Sequence, residues 1–345
     1  MILPPEATTS WNGDHHRLHR LLRRHPQLLP AGERLLLAVS GGQDSMALVA
    51  LLQALQPQHG WDLQLWHGDH RWRADSAQQG QALAAWARAQ GLPLLLEPWL
   101  RREEERPHEA AARQWRYGRL TARAEALHCS RVVTGHTASD RAETLLLNLA
   151  RGCHRRGLAS LRRSRPLSGG IALVRPLLDF SRSDTARLCQ ALQLPVWIDP
   201  SNSDPGFSRN RLRLEVTPVL EALHPGAARR MARVAEQLAD ADQASHELLQ
   251  LALAQLHTTA PAEGLEPALQ RGPLAALLPA NQSQLLQAWL EQHTGRRWPS
   301  RNLEALLERL HQPNTSGSAE LGDGWRLRWQ GPTLWLSRDA GRASP

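Results

Sequence analysis

The chain has 345 residues, 41 basic side chains against 33 carboxylates, and a formal net charge of +8. Its hydrophobic content of 41% and charged content of 21% are those of a globular protein, and the length calls for more than one core. All strong bases are arginine, so the composition excludes a Schiff-base lysine and a Walker-type phosphate lysine and leaves planar guanidinium forks to meet anions.

Taken in chain order, "WNGDHHRLHRLLRRHPQLL" (11–29) has helical spacing. It reads as a helix with a solvated face carrying His15, His16 and His19, because no carboxylate recurs beside them at metal-ligand spacing. From residue 34 strands and helices alternate. "RLLLAVS" is a strand and 44–56 a helix; "WDLQLWHGD" is a second strand, followed by the helix "DSAQQGQALAAWARAQ". "LPLLLEPW" and "SRVVTGH" are the third and fourth strands, followed by the helices "HEAAARQWRYGRLTARAEAL" and "ASDRAETLLLNLARG". This alternation predicts an α/β domain, a parallel sheet with helices on both faces, over residues 1–225. The texture changes near Pro225-Gly226, and 226–345 reads as a smaller, mainly helical domain. In "WRLRWQGPTLWL" Trp325, Leu327 and Trp329 share one face, which predicts two short strands at its end.

The cysteines, Cys129, Cys153 and Cys189, form no C-x-x-C, which argues against a disulfide scaffold or a thiolate zinc site and for a reducing compartment. No run of 18 apolar residues and no signal-peptide pattern is present, so a cytoplasmic protein without a membrane partner is expected. The basic balance fits an anionic partner such as nucleic acid.

The stretch with most chemistry is Ser40-Gly41-Gly42-Gln43-Asp44-Ser45, at the exit of the first strand. Two glycines let backbone N–H groups approach an anion, and the next helix adds its positive end. Asp44 would repel a phosphate directly, so it either bridges through Mg²⁺ or caps the helix. Asp140 and Glu143 lie three apart on one helix face, a solvated pair or a clamp for an ammonium group. His136 is a strand-end contact or a nucleotide neighbour. Arg113 and Arg116 pair within the fold or meet RNA. Alternate arginines at 209, 211 and 213 form a solvated edge or meet a pyrophosphate leaving group. Asp199 and Asn202 organise their loop, as Asx turns do, or act directly in catalysis.

S-G-G-x-D-S after a strand resembles the PP-loop of the N-type ATP pyrophosphatases, which adenylate carbonyl or carboxyl oxygens. "HGDHRWRADS", "EAAARQWRY", "TGHTASDRAET…RGCHRRGL", "RPLL" and "DPSNSDPGFSRNRLR" follow in order, resembling the tRNA(Ile)-lysidine synthases of that superfamily over roughly 34–225. The resemblance implies ATP and Mg²⁺, with Ser40, Gly41, Gly42, Gln43, Asp44, Ser45, Gly135 and His136 at the nucleotide and Asp44 at the metal. It implies lysine recognition by Asp140 and Glu143, and tRNA contact by His67, Asp69, His70, Arg73, Arg113 and Arg151. Asp44, Arg209 and Arg213 take the catalytic roles. The implied partners are free L-lysine and an isoleucine tRNA with a CAU anticodon, read in part by the second domain; a homodimer is left open. His154 and Leu161 depart from the family pattern in the loop after Arg151. A tRNA thiolase on the same core, or a tRNA-binding protein with an inactive ATP fold, are the alternatives.

Overall fold

The computed structural model describes residues 11–71, 76–99, 109–197, 204–260, 266–312 and 316–338. The chain forms two compact units, Met1–Ala239 and Asp240–Pro345. Arg73, Asp199 and Asn202 lie outside the described residues.

The first unit opens with α1 (Gly13–Arg24), whose N-terminal amides are met by the Asn12 side chain. Its apolar stripe, Leu18 and Leu22, packs on α2, and His15 one turn earlier goes with it. His15 is therefore buried, while His19 meets Trp11 edge-on and bonds to His59, so these two histidines are not on a solvated face. Then follow β1 (Arg34–Ala38), α2 (Gln43–His59), β2 (Asp62–Asp69), α3 (Ser76–Ala89), β3 (Leu94–Pro98), α4 (Glu109–Ala126), β4 (Arg131–Thr134), α5 (Ala138–Ala150) and α6 (Arg155–Leu158). A hairpin of β5 (Ser164–Pro166) and β6 (Ala172–Val174) turns through Gly169 and Gly170, both at positive φ. The sequence reading missed it, since three-residue strands are too short to show a period. The unit continues through α7 (Arg182–Ala191), α8 (Ser208–Arg211), a π-helical turn (Leu212–Val216), α9 (Thr217–Leu223) and the start of α10 (Ala227–Leu256).

The six strands run in the order β3-β2-β1-β4-β6-β5, every neighbouring pair parallel except β5 with β6. Period-two alternation sends Leu35 and Leu37 into the core under α1, α2 and α7, and Leu36 into a second core with Trp66 and Leu120 of α4. Both faces are thus covered by helices, as a buried parallel sheet requires. β1 leads to β2 on one side and lies against β4 on the other. The crevice beyond the carboxyl ends of β1 and β4 is the switch point where such sheets bind ligands.

The second unit holds β7 (His257–Thr259), β8 (Pro267–Gln270), α11 (Arg271–Ala275), α12 (Pro279–Thr294), α13 (Ser300–His311), β9 (Gly317–Gly322), β10 (Trp325–Gln330) and β11 (Thr333–Arg338). The predicted β10–β11 hairpin sits within a five-stranded antiparallel sheet, β7-β8-β11-β10-β9. Leu327 and Trp329 turn inward onto Leu286 and Leu290 of α12 and Leu306 and Leu310 of α13. Buried Arg271 donates from Nε to the Leu310 carbonyl at 2.7 Å, meeting an orphan acceptor at the end of α13. The first unit has 32 arginines against 22 carboxylates and the second nine against eleven, so the basic excess belongs to the first.

Candidate active site at the sheet switch point

The loop after β1 is built by its own serines. Ser45 Oγ donates to the Gly42 carbonyl at 2.8 Å and accepts from the Ser40 amide at 3.2 Å, while Ser40 Oγ accepts from the Gly42 amide at 3.2 Å. Gly41 has φ +82, and a Cβ there would stand 3.0 Å from the Trp197 ring, whose amide donates to the Gly41 carbonyl at 3.0 Å. Trp197 is thus the floor of the loop. Gly42 precedes the first turn of α2, with no side chain capping its amides. Those amides and the helix dipole form an anion seat.

Gln43 and Asp44 point toward α7. Gln43 Nε2 donates to the Arg182 carbonyl at 2.7 Å and to Thr185 Oγ1 at 2.8 Å; Thr185 donates in turn to Asp44 Oδ1 at 2.5 Å. Among the described residues, the nearest cation to Asp44 is Arg182, at 3.8 Å. Burial, and then the nearby charge of Asp140, push the Asp44 carboxyl up to about 6. A buried carboxylate so lightly compensated has an electrostatic place for a cation.

On the other side of the crevice, β4 ends at Thr134-Gly135-His136. A Cβ on Gly135 would meet the Asp44 carbonyl at 2.7 Å, so only glycine lets β4 approach α2 this closely. His136 bonds through Nδ1 to Thr134 Oγ1 at 2.9 Å, and burial, aided by Arg175 and Arg209, lowers its pKa against the pull of Asp140, which favours the neutral ring. Asp140 belongs to the capping box of α5: its Oδ2 accepts from the Thr137 amide at 2.8 Å and hydroxyl at 2.9 Å. Its Oδ1 accepts from Arg209 at 3.0 Å. Glu143, one turn on and buried, accepts from Arg209 Nε at 2.7 Å and from Arg213 Nε and Nη2 at 2.8 and 2.9 Å. Burial alone would raise Asp140, but Arg209, His136 and the Thr137 amide outweigh it and hold the group below the ordinary carboxylate range. The predicted carboxylate pair and two of the alternate arginines therefore form one cluster. Arg211 instead pairs with Glu215 on the surface.

Beside this cluster lies a cavity of about 680 Å³, walled by Arg113, Arg151, Arg156, Arg162 and Arg165, with His136 and Arg209 at its inner side. Arg113 and Arg165 both lie over the Tyr117 ring, each 4.9 Å from its centre. Buried Arg175 lies near the Tyr117 hydroxyl and donates to the Arg162 carbonyl at 2.7 Å. Burial would raise that hydroxyl, but Arg113, Arg175 and Arg165 together lower it.

The remaining predicted residues cluster at the end of β2. His67 donates from Nδ1 to the Val39 carbonyl at 2.8 Å, one residue before the glycine loop, and burial lowers its pKa. Asp69 Oδ1 accepts from the Arg71 amide at 2.8 Å, forming an Asx turn. His70 accepts at Nε2 from Arg116 at 2.9 Å and meets Trp99 and Trp115 edge-on. Sequence reasoning missed Trp197, Thr185 and Arg182, and gave no site role to Tyr117 or Arg175. Tyr117 and Arg175 had a local signal in the R-Y and R-P-L-L stretches; Arg182, Thr185 and Trp197 meet the loop through contacts some 140 residues or more away in sequence.

A PP-loop domain model matches residues 14–220. The tRNA(Ile)-lysidine synthase of Parasynechococcus marenigrum (strain WH8102) is 50% identical over 335 residues, 96% of each chain. The protein of that name from Synechococcus sp. (strain ATCC 27144 / PCC 6301 / SAUG 1402/1) is 46% identical over 316 residues, 91% of this chain and 94% of that one. Among solved structures, the U34-tRNA thiolase NcsA from Methanococcus maripaludis, with its iron–sulfur cluster, aligns with a TM-score of 0.56 at 19% identity. It covers 65% of this chain and 78% of that one, a likeness of fold alone. With such identity to these relatives over nearly its whole length, the chain belongs to the tRNA(Ile)-lysidine synthase family.

Proposed function

We propose that this chain is an ATP-dependent ligase that joins free lysine to carbon 2 of the wobble cytidine in an isoleucine tRNA with a CAU anticodon, in the cytoplasm. The observation that carries the reading is the meeting, across one crevice, of an anion-binding glycine loop and a carboxylate pair suited to an ammonium. The names of the relatives support tRNA as the substrate.

The triphosphate sits on the amides of Gly41 to Asp44, with Ser40 and Ser45 shaping the turn. Asp44 is the residue that would hold Mg²⁺, one carboxylate and ATP oxygens being the usual way this ion is bound. When bound, the metal supplies charge neutralisation at the phosphates. Adenylation breaks the bond between the α and β phosphates: cytidine O2 bonds to the α-phosphorus and pyrophosphate leaves. Arg209 and Arg213 stand beside that path as donors to the departing charge. In the second half the deprotonated ε-amine of lysine bonds to carbon 2, and AMP leaves with the original O2. Asp140 and Glu143 hold lysine while this happens, and neutral His136 lines the same crevice without adding charge.

The arginine-walled cavity of the first unit is the place for the RNA backbone, which puts most of the salt-sensitive binding on the catalytic unit. The second unit, with fewer arginines than carboxylates, would read tRNA shape rather than supply bulk charge. The reading is tested by digesting a reacted transcript to nucleosides. Lysidine in place of the wobble cytidine supports it; an unchanged cytidine, with ATP bound, refutes it.

A further inference from the structure

The chain has two phenylalanines, and they live in opposite surroundings. Phe180 is 1% exposed in the core, whereas Phe207 is 42% exposed and lines the cavity. Phe207 is the N-cap of α8, a place where Ser, Thr, Asn or Asp would bond to the first amides, and its side chain makes no capping bond. The sequence thus gives up a cap, and exposes a large apolar ring, at a single position facing the candidate site. Local rules broken in this way mark function more often than fold.

The turn that carries the ring is held firmly. Asp204 anchors the turn by accepting from the Gly206 amide at 2.8 Å through Oδ1 and from Asn210 Nδ2 at 2.9 Å through its carbonyl; Asn210 is buried. Two residues on, Arg209 is fastened to Asp140 and Glu143. Phe207 is therefore a flat apolar surface on a pinned turn, next to the carboxylate cluster and in a cavity that several guanidinium groups, Arg113, Arg151, Arg156 and Arg165 among them, also line. Guanidinium groups suit phosphates, and an exposed aromatic face suits an unpaired base; the two together are the usual equipment for single-stranded nucleic acid. A base must also leave its stack before its ring atoms can react in an enclosed site.

We propose that Phe207 is a stacking platform for one unpaired base of the RNA substrate, positioning the anticodon loop in the cavity. This rests on the reading of the substrate as tRNA. The test compares Phe207→Leu and Phe207→Tyr in the full chain, using CAU-anticodon transcripts with pyrrolocytidine replacing one anticodon-loop base at a time. Phe207→Leu is expected to raise KM for tRNA by about 5- to 100-fold, the usual loss for one stacked base. KM for ATP and lysine, the melting temperature and the salt slope should hold steady. The wild type and Phe207→Tyr should quench the fluorescence of one labelled position, and Phe207→Leu should not. Wild-type KM and quenching in Phe207→Leu overturn the proposal. So does a Phe207→Tyr variant as impaired as Phe207→Leu, since an aromatic replacement should restore stacking. A failure of the ligase reading is distinct: the wild type would then attach no lysine, yet RNA affinity and quenching would still report on Phe207.

Discussion

Arg213 grips Glu143 at two points, Nε to Oε1 at 2.8 Å and Nη2 to Oε2 at 2.9 Å, and the carboxylate is 1% exposed. Arg209 adds a third bond to the same group. The clamp predicted for an ammonium is thus engaged by two guanidiniums from α8 and the π-helical turn after it. A lysine must share or replace these contacts. Glu143→Gln removes the charge and is expected to raise KM for lysine roughly 10- to 100-fold, from about 1.5–3 kcal/mol for a charge-assisted bond. Pyrophosphate release in the first half-reaction should persist. Melting curves run alongside separate this from lost stability, and an unchanged lysine KM contradicts the assignment.

Asp44 gives the site a pH signature. Its pKa of about 6 lies above the ordinary 3.8, so the native state keeps a proton that the unfolded chain releases. Ionising it therefore costs native stability as pH rises through that window, and a bound cation removes the cost. Apparent Mg²⁺ affinity, read as the rise in melting temperature with ATP present, should fall about tenfold per unit below pH 6. Asp44→Asn should lose the Mg²⁺ response and AMP release together. A pH-independent affinity, or turnover in Asp44→Asn, contradicts the metal role.

Two glycines separate close approach from mere permissiveness. Gly135→Ala places a Cβ 2.7 Å from the Asp44 carbonyl, pushing β4 off the first turn of α2. A loss of about 1–3 kcal/mol of stability and a weakened ATP affinity are expected. Gly118, inside α4, has open space around it, and Gly118→Ala should stabilise by about 0.5–1 kcal/mol without touching activity. Equal behaviour of the two variants would contradict the close-packing argument.

Sulfur chemistry is the rival on a shared fold. Cys129 and Cys189 are buried, and burial pushes both thiols up to about 11, leaving them unreactive near neutrality; Cys153 is exposed. The triple variant Cys129→Ala, Cys153→Ala, Cys189→Ala should still attach lysine to tRNA, whatever it loses in melting temperature. Loss of the attachment with ATP–pyrophosphate exchange intact would favour a thiolase.

Local chemistry was legible in the sequence. The glycine loop between a strand and a helix, the i, i+3 pair at 140 and 143, and the alternation of Trp325, Leu327 and Trp329 each show within a few residues. What was hidden depends on chain segments that meet only in three dimensions. Thr185 reaches Asp44 from 141 residues away, and Arg213 reaches Glu143 from 70. The same holds for β7 and β8: at three and four residues they carry no period, and their pairing with the terminal hairpin fixes them as strands. His15 looked like a polar face because its neighbours are polar; packing against α2 overrides that pattern.

The most direct measurement is incorporation of radiolabelled lysine into purified transcripts. Incubated with ATP and Mg²⁺, the chain is expected to label a CAU-anticodon isoleucine tRNA, to release AMP and pyrophosphate in equal amounts with the label, and to leave the elongator methionine tRNA of the same anticodon unlabelled. No label in the isoleucine tRNA, under conditions where ATP binds, would contradict the central claim.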